Sequence, residues 1–274
     1  MTRALCKELG LGPLWRLRGA AANALRVVGA PIDSTDHLVD GGSGDEVRAS
    51  ASLGVARFGD STSSLVSAVG KLGKDFSKGL PDVWGWSEIK MAVSECVHCR
   101  LCEQRNHAVV GVGDQQADWL FVGEGPGAEE DLRDEPFVGQ AGKLLDAMLA
   151  GLGIARGHGV YIANAVKCRP PNNRTPEPDE IEACFPYLQR QIELIRPRVI
   201  VALGRPAAQA LLKQEIRIGA ARGQVFRFGE IPVVVTYHPA YLLRNPADKG
   251  KAWADLCFAR KTLASSPPKV KETA

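Results

Sequence analysis

Cys96-Val97-His98-Cys99 sets two thiols three positions apart, and Cys168 and Cys184 form a wider pair with fifteen residues between them. Thiolates are charged ligands that are costly to bury unpaired. Two distant pairs brought together therefore point to one metal centre, either an iron-sulfur cluster or a zinc ion. Cys102 extends the first pair to C-x2-C-x2-C, a pattern that favours iron-sulfur but leaves one ligand in surplus. Spacing by itself leaves zinc and iron both open. Cys6 and Cys257 have no ligand-like spacing and read as ordinary buried thiols.

A second set of residues suits the binding of a small planar group. Gly123-Glu124-Gly125-Pro126-Gly127 follows an apolar run ending at Val122, and glycines there let backbone approach a ligand closely. A phosphate-binding loop would need Gly-Lys-Ser or Gly-Lys-Thr. This turn instead runs into Ala128, Glu129, Glu130 and Asp131, an acidic cluster that repels a polyphosphate. Phe137, within Pro136-Phe137-Val138-Gly139, offers a stacking surface. Asn164 offers a carboxamide, and His238, within His238-Pro239-Ala240, a titratable donor. Each is weak alone; together they furnish one site.

The elements that must position them follow from short apolar runs bounded by Gly or Pro, which read as buried strands over 119–122, 160–166, 199–203 and 232–236. Helical patterns over 142–152, 179–195 and 206–212 separate them. Such alternation implies a parallel sheet covered on both faces, with ligands at the carboxyl ends of its strands. The text between Pro31 and Ser64, including Asp40-Gly41-Gly42-Ser43-Gly44-Asp45, is rich in Gly, Ser and Asp and has no sustained period, as linker or disordered chain would be. Ahead of it Leu11, Leu14, Trp15, Leu17 and Leu25 are interleaved with Arg16, Arg18 and Arg26, a basic amphipathic piece that reads first as a frayed terminal helix and second as one that docks on the main domain or on a partner.

Composition narrows the classes. The 274 residues carry 34 Lys+Arg against 31 Asp+Glu, a net charge of +3. A disordered polyelectrolyte is thereby excluded, and any nucleic-acid surface has to come from local clustering of cations. No apolar run approaches the roughly 20 residues that span a bilayer, so no membrane association is expected. No secretory signal is apparent either, and a cytoplasmic protein is expected. Seven cysteines in a reducing compartment argue for metal ligation or catalysis over disulfides.

Taken in order, Cys96 and Cys99, the GEGPG turn at 123–127, PFVGQAG at 136–142, YIANAVKCRPP at 161–171, Cys184 and HPAYLLRNP at 238–246 resemble the family 4 uracil-DNA glycosylases over roughly residues 93–260. The resemblance implies a three-layer α/β/α fold around a four-stranded parallel sheet, and excision of uracil from DNA by a monofunctional enzyme. It also implies a 4Fe-4S cluster on Cys96, Cys99, Cys168 and Cys184. The domains expected are an extension over 1–90, largely linker or disordered, a glycosylase domain over 91–262 and a flexible tail over 263–274. A monomer acting on uracil-containing DNA is expected, with a protein partner for the extension.

Within that chemistry a uracil flipped from the duplex would stack on Phe137 and pair with Asn164, whose NH2 and carbonyl match uracil O4 and N3–H and mismatch cytosine. His238 would donate to uracil O2 as charge develops there. Related families carry a carboxylate or amide where this chain has Gly125, so Glu124 is expected to orient the attacking water or to stabilise the cationic sugar, with Gly125 lining the base site. Glu130 is expected to exclude the thymine methyl. Leu242 and Leu243 are expected to fill the vacated stack, with Arg244, Arg169 and Arg174 on phosphate. Ala240 stands where some relatives have Ser. The competing classes are a non-enzymatic iron-sulfur protein and a zinc-stabilised DNA-binding module.

Overall fold

The computed structural model describes residues 83–269. The linker, the basic N-terminal stretch and any partner of theirs lie outside the described residues. Six strands form one sheet: β1 (Val112–Gly113), β2 (Trp119–Gly123), β3 (Val160–Asn164), β4 (Val199–Leu203), β5 (Val225–Phe228) and β6 (Ile231–Thr236), in the order β1-β3-β2-β4-β6-β5. The four central strands are mutually parallel, as expected. The sequence reading missed β1 and β5, which pair antiparallel to β3 and β6 at the two edges. β1 is only two residues long, and β5 alternates exposed with half-buried positions, so neither shows the apolar run of a central strand.

Every residue of β2, β3 and β4 is buried, because helices cover both faces. Phe121, Ile162, Val201 and Val234 point to one face, against α3 (Gln140–Leu152) and α8 (Lys249–Ser265). Leu120, Ala163, Ile200 and Val235 point to the other, against α4 (Pro178–Ile195) and α5 (Arg205–Leu212). A third apolar cluster joins α1 (Trp86–Ser94) to the segment after β3 and to Tyr187 of α4. The helices α2 (Ala128–Arg133), α6 (Ile218–Ala221) and α7 (Pro239–Arg244) are short connectors. The chain leaves β2 toward one face and the adjacent β4 toward the other. The crevice this opens lies at the carboxyl ends of the strands, where α/β sheets bind ligands.

The expected domain limits are both overrun. Trp84 is buried in the third cluster, and α8 continues to Ser265. Beyond it, Arg198 donates to the carbonyls of Leu263, Ser266 and Pro267 at 2.6–3.0 Å, and Lys269 Nζ donates to those of Gln116, Ala117 and Ile195. Residues 263–269 are therefore fastened to the domain, contrary to the flexible tail expected there. α8 escaped the sequence reading because its buried face is made of Ala252, Asp255, Leu256 and Ala259. Two alanines and a carboxylate give little apolar periodicity; Asp255 is buried because it accepts from Thr236 Oγ1 (2.8 Å) and Arg222 Nε (2.7 Å).

A methyl group on Gly142 of α3 would overlap the carbonyl of Phe137. Backbone cannot swing aside, so Gly142→Ala is expected to destabilise the domain by about 1–3 kcal/mol, although alanine is the better helix former. Gly219→Ala, with open space around its Cβ, should be neutral or slightly stabilising. Thermal unfolding of the two variants checks the pair.

Candidate active site

The loop after β2 is shaped by one carboxylate. Gly127 caps α2, and Glu130 Oε2 accepts from its N–H at 3.1 Å; Glu130 Oε1 accepts from Val138 N at 2.9 Å and from Gly139 N, the cap of α3, at 3.0 Å. Two helix starts are thus tied together. Between them Phe137 has φ +57°, a left-handed conformation that a bulky residue adopts only when its surroundings impose it. The clamp is visible on both sides: Arg156 donates to the carbonyls of Pro136 and Phe137, each at 2.7 Å, and Glu130 takes the next two N–H groups. Glu130 lines the cavity, but both its oxygens are committed to backbone. The structure therefore makes it a positioning residue for Phe137, and its carboxylate, held rigidly in the cavity wall, keeps the bulk on which the expected exclusion of the thymine methyl depends.

At the last rung of the β2–β3 ladder Gly123 pairs with Asn164. A side chain on Gly123 would collide with Asn164 Oδ1 and with the Phe137 ring, so this glycine makes room for both. Asn164 is 2% exposed and Phe137 4%. Asn164 Oδ1 is buried without a hydrogen-bond partner, an arrangement that costs about 1–3 kcal/mol if nothing fills it. Across the cavity the His238 ring lies 5.5 Å from the Phe137 ring, tilted by 33°. His238 caps α7, its Nδ1 accepting from Ala240 N at 3.2 Å. That bond places the ring proton on Nε2. Burial, and then Arg244, push its pKa down to about 4, so the imidazole is a neutral donor at pH 7. Glu124 is raised above the usual carboxylate range by burial, against the opposing pull of a Thr175 hydrogen bond and of Arg205 and Arg244.

A cavity of about 720 Å³ joins these groups: Glu124, Gly125, Glu130, Phe137, Asn164, His238 and Arg244 all line it. Gly125 has no room for a side chain, since a Cβ there meets Val166 Cγ2 at 2.8 Å. Thr175, Arg205, Tyr237 and Tyr241 also line it. Arg205 follows the end of β4 directly, and the rule that ligands sit at the carboxyl ends of strands was the signal for it. Nothing local marked Thr175, which arrives on the loop after β3.

The residues expected to face DNA divide. Leu242 is 1% exposed and packs with Leu144, Met148 and Trp253, while Leu243 is 42% exposed. Neighbours on a helix point about 100° apart, so Leu242 is a core residue, and the expectation of a wedge there is corrected. Arg244 is exposed at the cavity mouth. Arg169 donates to Asn173 Oδ1 at 2.8 Å. Arg174 is held in a fork by the fully buried Glu180, at 2.6 and 2.8 Å, so its charge is already paired.

Cys96, Cys99, Cys168, Cys184 and Cys102 surround one small hollow between α1, the segment after β3 and α4. Arg105 donates to Cys168 Sγ at 3.1 Å and to the carbonyl of Cys96 at 2.8 Å. Lys167 N donates to Cys184 Sγ at 3.2 Å. Burial pushes three of these thiols up, Cys99 to about 11, Cys184 to about 12 and Cys168 in the same direction, so those three favour the thiolate only when a cation is bound. Among the described residues no three such ligands stand in place around a single ion. The donor chemistry nonetheless fits a thiolate-ligated group, with four sulfurs from two distant segments and N–H donors directed at two of them.

A family model described as the uracil DNA glycosylase superfamily matches residues 110–257. The chain is 47% identical over 167 residues to a type-4 uracil-DNA glycosylase of Archaeoglobus fulgidus, covering 58% of this chain and 83% of that one. It is 44% identical over 174 residues to that of Pyrobaculum aerophilum, covering 61% and 88%. For the enzyme of Saccharolobus solfataricus the figures are 45% over 184 residues, covering 64% and 85%.

The depressed pKa of His238 makes a prediction about stability. A group whose folded value lies below its ordinary 6.5 contributes stability that is fully present above that value and is lost as pH falls toward the folded one. The wild-type protein should therefore lose stability relative to His238→Gln between pH 6.5 and 4, with a constant difference above that window. Thermal unfolding of both proteins across pH 4–8 measures this.

Proposed function

The chain belongs to the uracil DNA glycosylase superfamily, alongside its type-4 enzymes, and on that premise we propose that it hydrolyses the N-glycosidic bond of uracil in DNA, releasing uracil and leaving an abasic site. The observation that carries this reading is the orphaned Asn164 Oδ1. A buried acceptor beside an aromatic ring and opposite a neutral imidazole N–H is what the Watson-Crick edge of a flipped uracil completes. A non-enzymatic cluster protein would leave that acceptor without a purpose.

Uracil entering the cavity stacks on Phe137, gives its N3–H to Asn164 Oδ1 and accepts at O4 from the carboxamide NH2. Cytosine presents an unprotonated N3 and an amino group at those positions. It would leave two buried groups unpaired, a mismatch that rejects an analogue strongly. As the C1′–N1 bond breaks, negative charge spreads onto uracil O2, where His238 Nε2–H donates. Being neutral, the imidazole stabilises the anion without transferring a proton to it. Glu124, half-buried and beside Thr175, orients the water whose oxygen bonds to C1′ and receives its proton. Leu243 is the side chain placed to fill the vacated stack, with Arg244 on phosphate. Arg169, tied to Asn173, is a contact of the same loop.

Cys96, Cys99, Cys168 and Cys184 are the residues that would hold a 4Fe-4S cluster, with Cys102 beside them. The cluster would supply a covalent cross-link rather than electron transfer, since hydrolysis moves no electrons. The segment before β1 would thereby be tied to the loop after β3 and to α4. The folded unit spans at least residues 84–269, and uracil-containing DNA is its substrate. We propose that the unit acts as a monomer. We propose a cytoplasmic site of action; among the described residues no helix is long and apolar enough to cross a membrane.

Single-turnover cleavage of a uracil-containing oligonucleotide tests the reading. His238→Ala should cut the rate by about 10² or more while DNA affinity falls little, because the lost donor acts on charge that develops only in the transition state. Asn164→Asp should also cleave poorly, since a carboxylate cannot donate to O4 and repels the forming anion. Undiminished excision by Asn164→Asp would remove Asn164 from the site. Iron content tests the centre: alanine at any one of Cys96, Cys99, Cys168 or Cys184 should lose the metal, and Cys102→Ala should keep it.

A further inference from the structure

Lys167 lies three residues past Asn164 and immediately before Cys168. It is 1% exposed, and lysines are almost never so deeply buried without a charged partner. Here the ammonium donates to two neutral oxygens, the backbone carbonyl of Asn164 at 2.9 Å and Gln191 Oε1 at 2.6 Å. Gln191 is itself braced from α4, its Nε2 donating to the carbonyl of Val110 at 3.0 Å and to Tyr161 Oη at 3.4 Å. Burying a cation in this way is costly. The strand ladder does not need the charge, because β3 has already ended at Asn164; the ionisable groups beside it are Cys168 and Cys184 of the hollow that the lysine also lines, and for that reason iron retention is part of the test.

The bond falls at the one carbonyl that matters to the base site. After Asn164 the chain remains tied to the glycine turn through Ala165 N to the carbonyl of Gly123 (2.9 Å) and Val166 N to that of Glu124 (3.2 Å). These bonds fix the N–H side of the segment. Lys167 takes the carbonyl of Asn164, the other side of the peptide that Ala165 N ties to Gly123, so that the peptide next to the carboxamide-bearing Cα is held at both its polar groups. The carboxamide itself has no protein partner at Oδ1 to hold it. Its aim depends on the backbone and on the close walls supplied by Gly123 and Phe137.

We propose that Lys167 is a positioning residue for uracil excision, its buried ammonium fixing the main chain of Asn164 so that the carboxamide meets the uracil edge without further ordering. The proposal rests on the assignment of Asn164 as the reader of the base. Removing the ammonium leaves that peptide held on its N–H side alone, with the Asn164 carbonyl unpartnered, and raises the ordering cost of binding uracil. Groups that do not touch uracil keep their function.

A double-mutant cycle in the full-length, iron-loaded protein tests it. Lys167→Met, Asn164→Ala and the double variant are compared in single-turnover cleavage of a uracil oligonucleotide, in inhibition by free uracil, and in affinity for an abasic-site oligonucleotide. Iron content is measured alongside. Lys167→Met is expected to retain iron and abasic-DNA affinity while losing about tenfold or more in cleavage, the usual scale for a charged hydrogen bond, with a parallel loss of inhibition by uracil. In the Asn164→Ala background the same substitution should cost less than about twofold, because its effect passes through a side chain already removed. Losses that multiply in the double variant overturn the proposal. So does a wild-type rate for Lys167→Met, or loss of its iron or of abasic-DNA affinity, which would make the lysine a general support of the fold. If Lys167→Met does not yield folded protein, Gln191→Leu, which deprives the same ammonium of its second partner, is carried through the same cycle with the same readings. A wild-type rate for Asn164→Ala alone overturns the reading of the base site itself, a separate failure.

Discussion

Gly123 and Asn164 face each other at the last rung of the parallel β2–β3 ladder, and the space of the missing side chain on Gly123 is shared by the Asn164 carboxamide and the Phe137 ring. The rest of the site depends on that shared space. A parallel pair ends both strands at one edge of the sheet, so a residue on β3 and the turn after β2 arrive together although about forty positions separate them. With any side chain at 123, the ring and the carboxamide could not both be present. Phe137 therefore has to be brought back against the sheet from a left-handed backbone, and Glu130, Arg156 and Gly142 all serve that placement.

Electrostatics follows from the same crowding. Burial holds His238 neutral with its proton on Nε2, and burial with no partner leaves Asn164 Oδ1 waiting for a donor. Glu124 is also raised by burial, but the neighbouring arginines and Thr175 moderate it. The cavity thus presents a neutral donor, a neutral carboxamide and one carboxylate. This set recognises an uncharged base and tolerates the anion it becomes. On the far side of Asn164, the buried thiols around Cys168 and Cys184 need a cation to ionise, so the two centres pose opposite electrostatic demands within a few residues of chain. Lys167 stands between them, its main-chain N–H directed at the Cys184 sulfur and its ammonium at the Asn164 carbonyl, while Arg105 donates to the Cys168 sulfur and the Cys96 carbonyl.

The segment 161–184 shows how the two centres share one piece of chain. It contains the end of β3, the carboxamide, Lys167, one thiol at Cys168, the loop bearing Thr175 and a second thiol at Cys184 on α4. That loop is closed by the fork between Arg174 and Glu180, so an arginine that on sequence alone suits phosphate is spent on holding the loop. Thr175 is then delivered to Glu124 as a consequence.

The sequence by itself determined the four parallel strands and the principal helices between them, because apolar runs and helical periods are local properties that burial on both faces of a sheet enforces. It also determined which cysteines gather, and the membership of Glu124, Asn164 and His238 in one site, since those residues lie where strands end, with Phe137 on the connection that follows the first of them. What it did not determine depends on contacts between distant segments. The direction of adjacent leucines on α7 decided that Leu242 is core and Leu243 is surface. The three backbone partners of Glu130 decided that it holds two helix starts and Phe137 in place. Helix α8, its buried Asp255 and the fastened residues 263–269 left no periodic signal, since their stability comes from hydrogen bonds to Thr236, Arg222, Arg198 and the ends of other elements. Whether a polar side chain is free to act or already held is set by its neighbours in space, and only the tertiary structure supplies them.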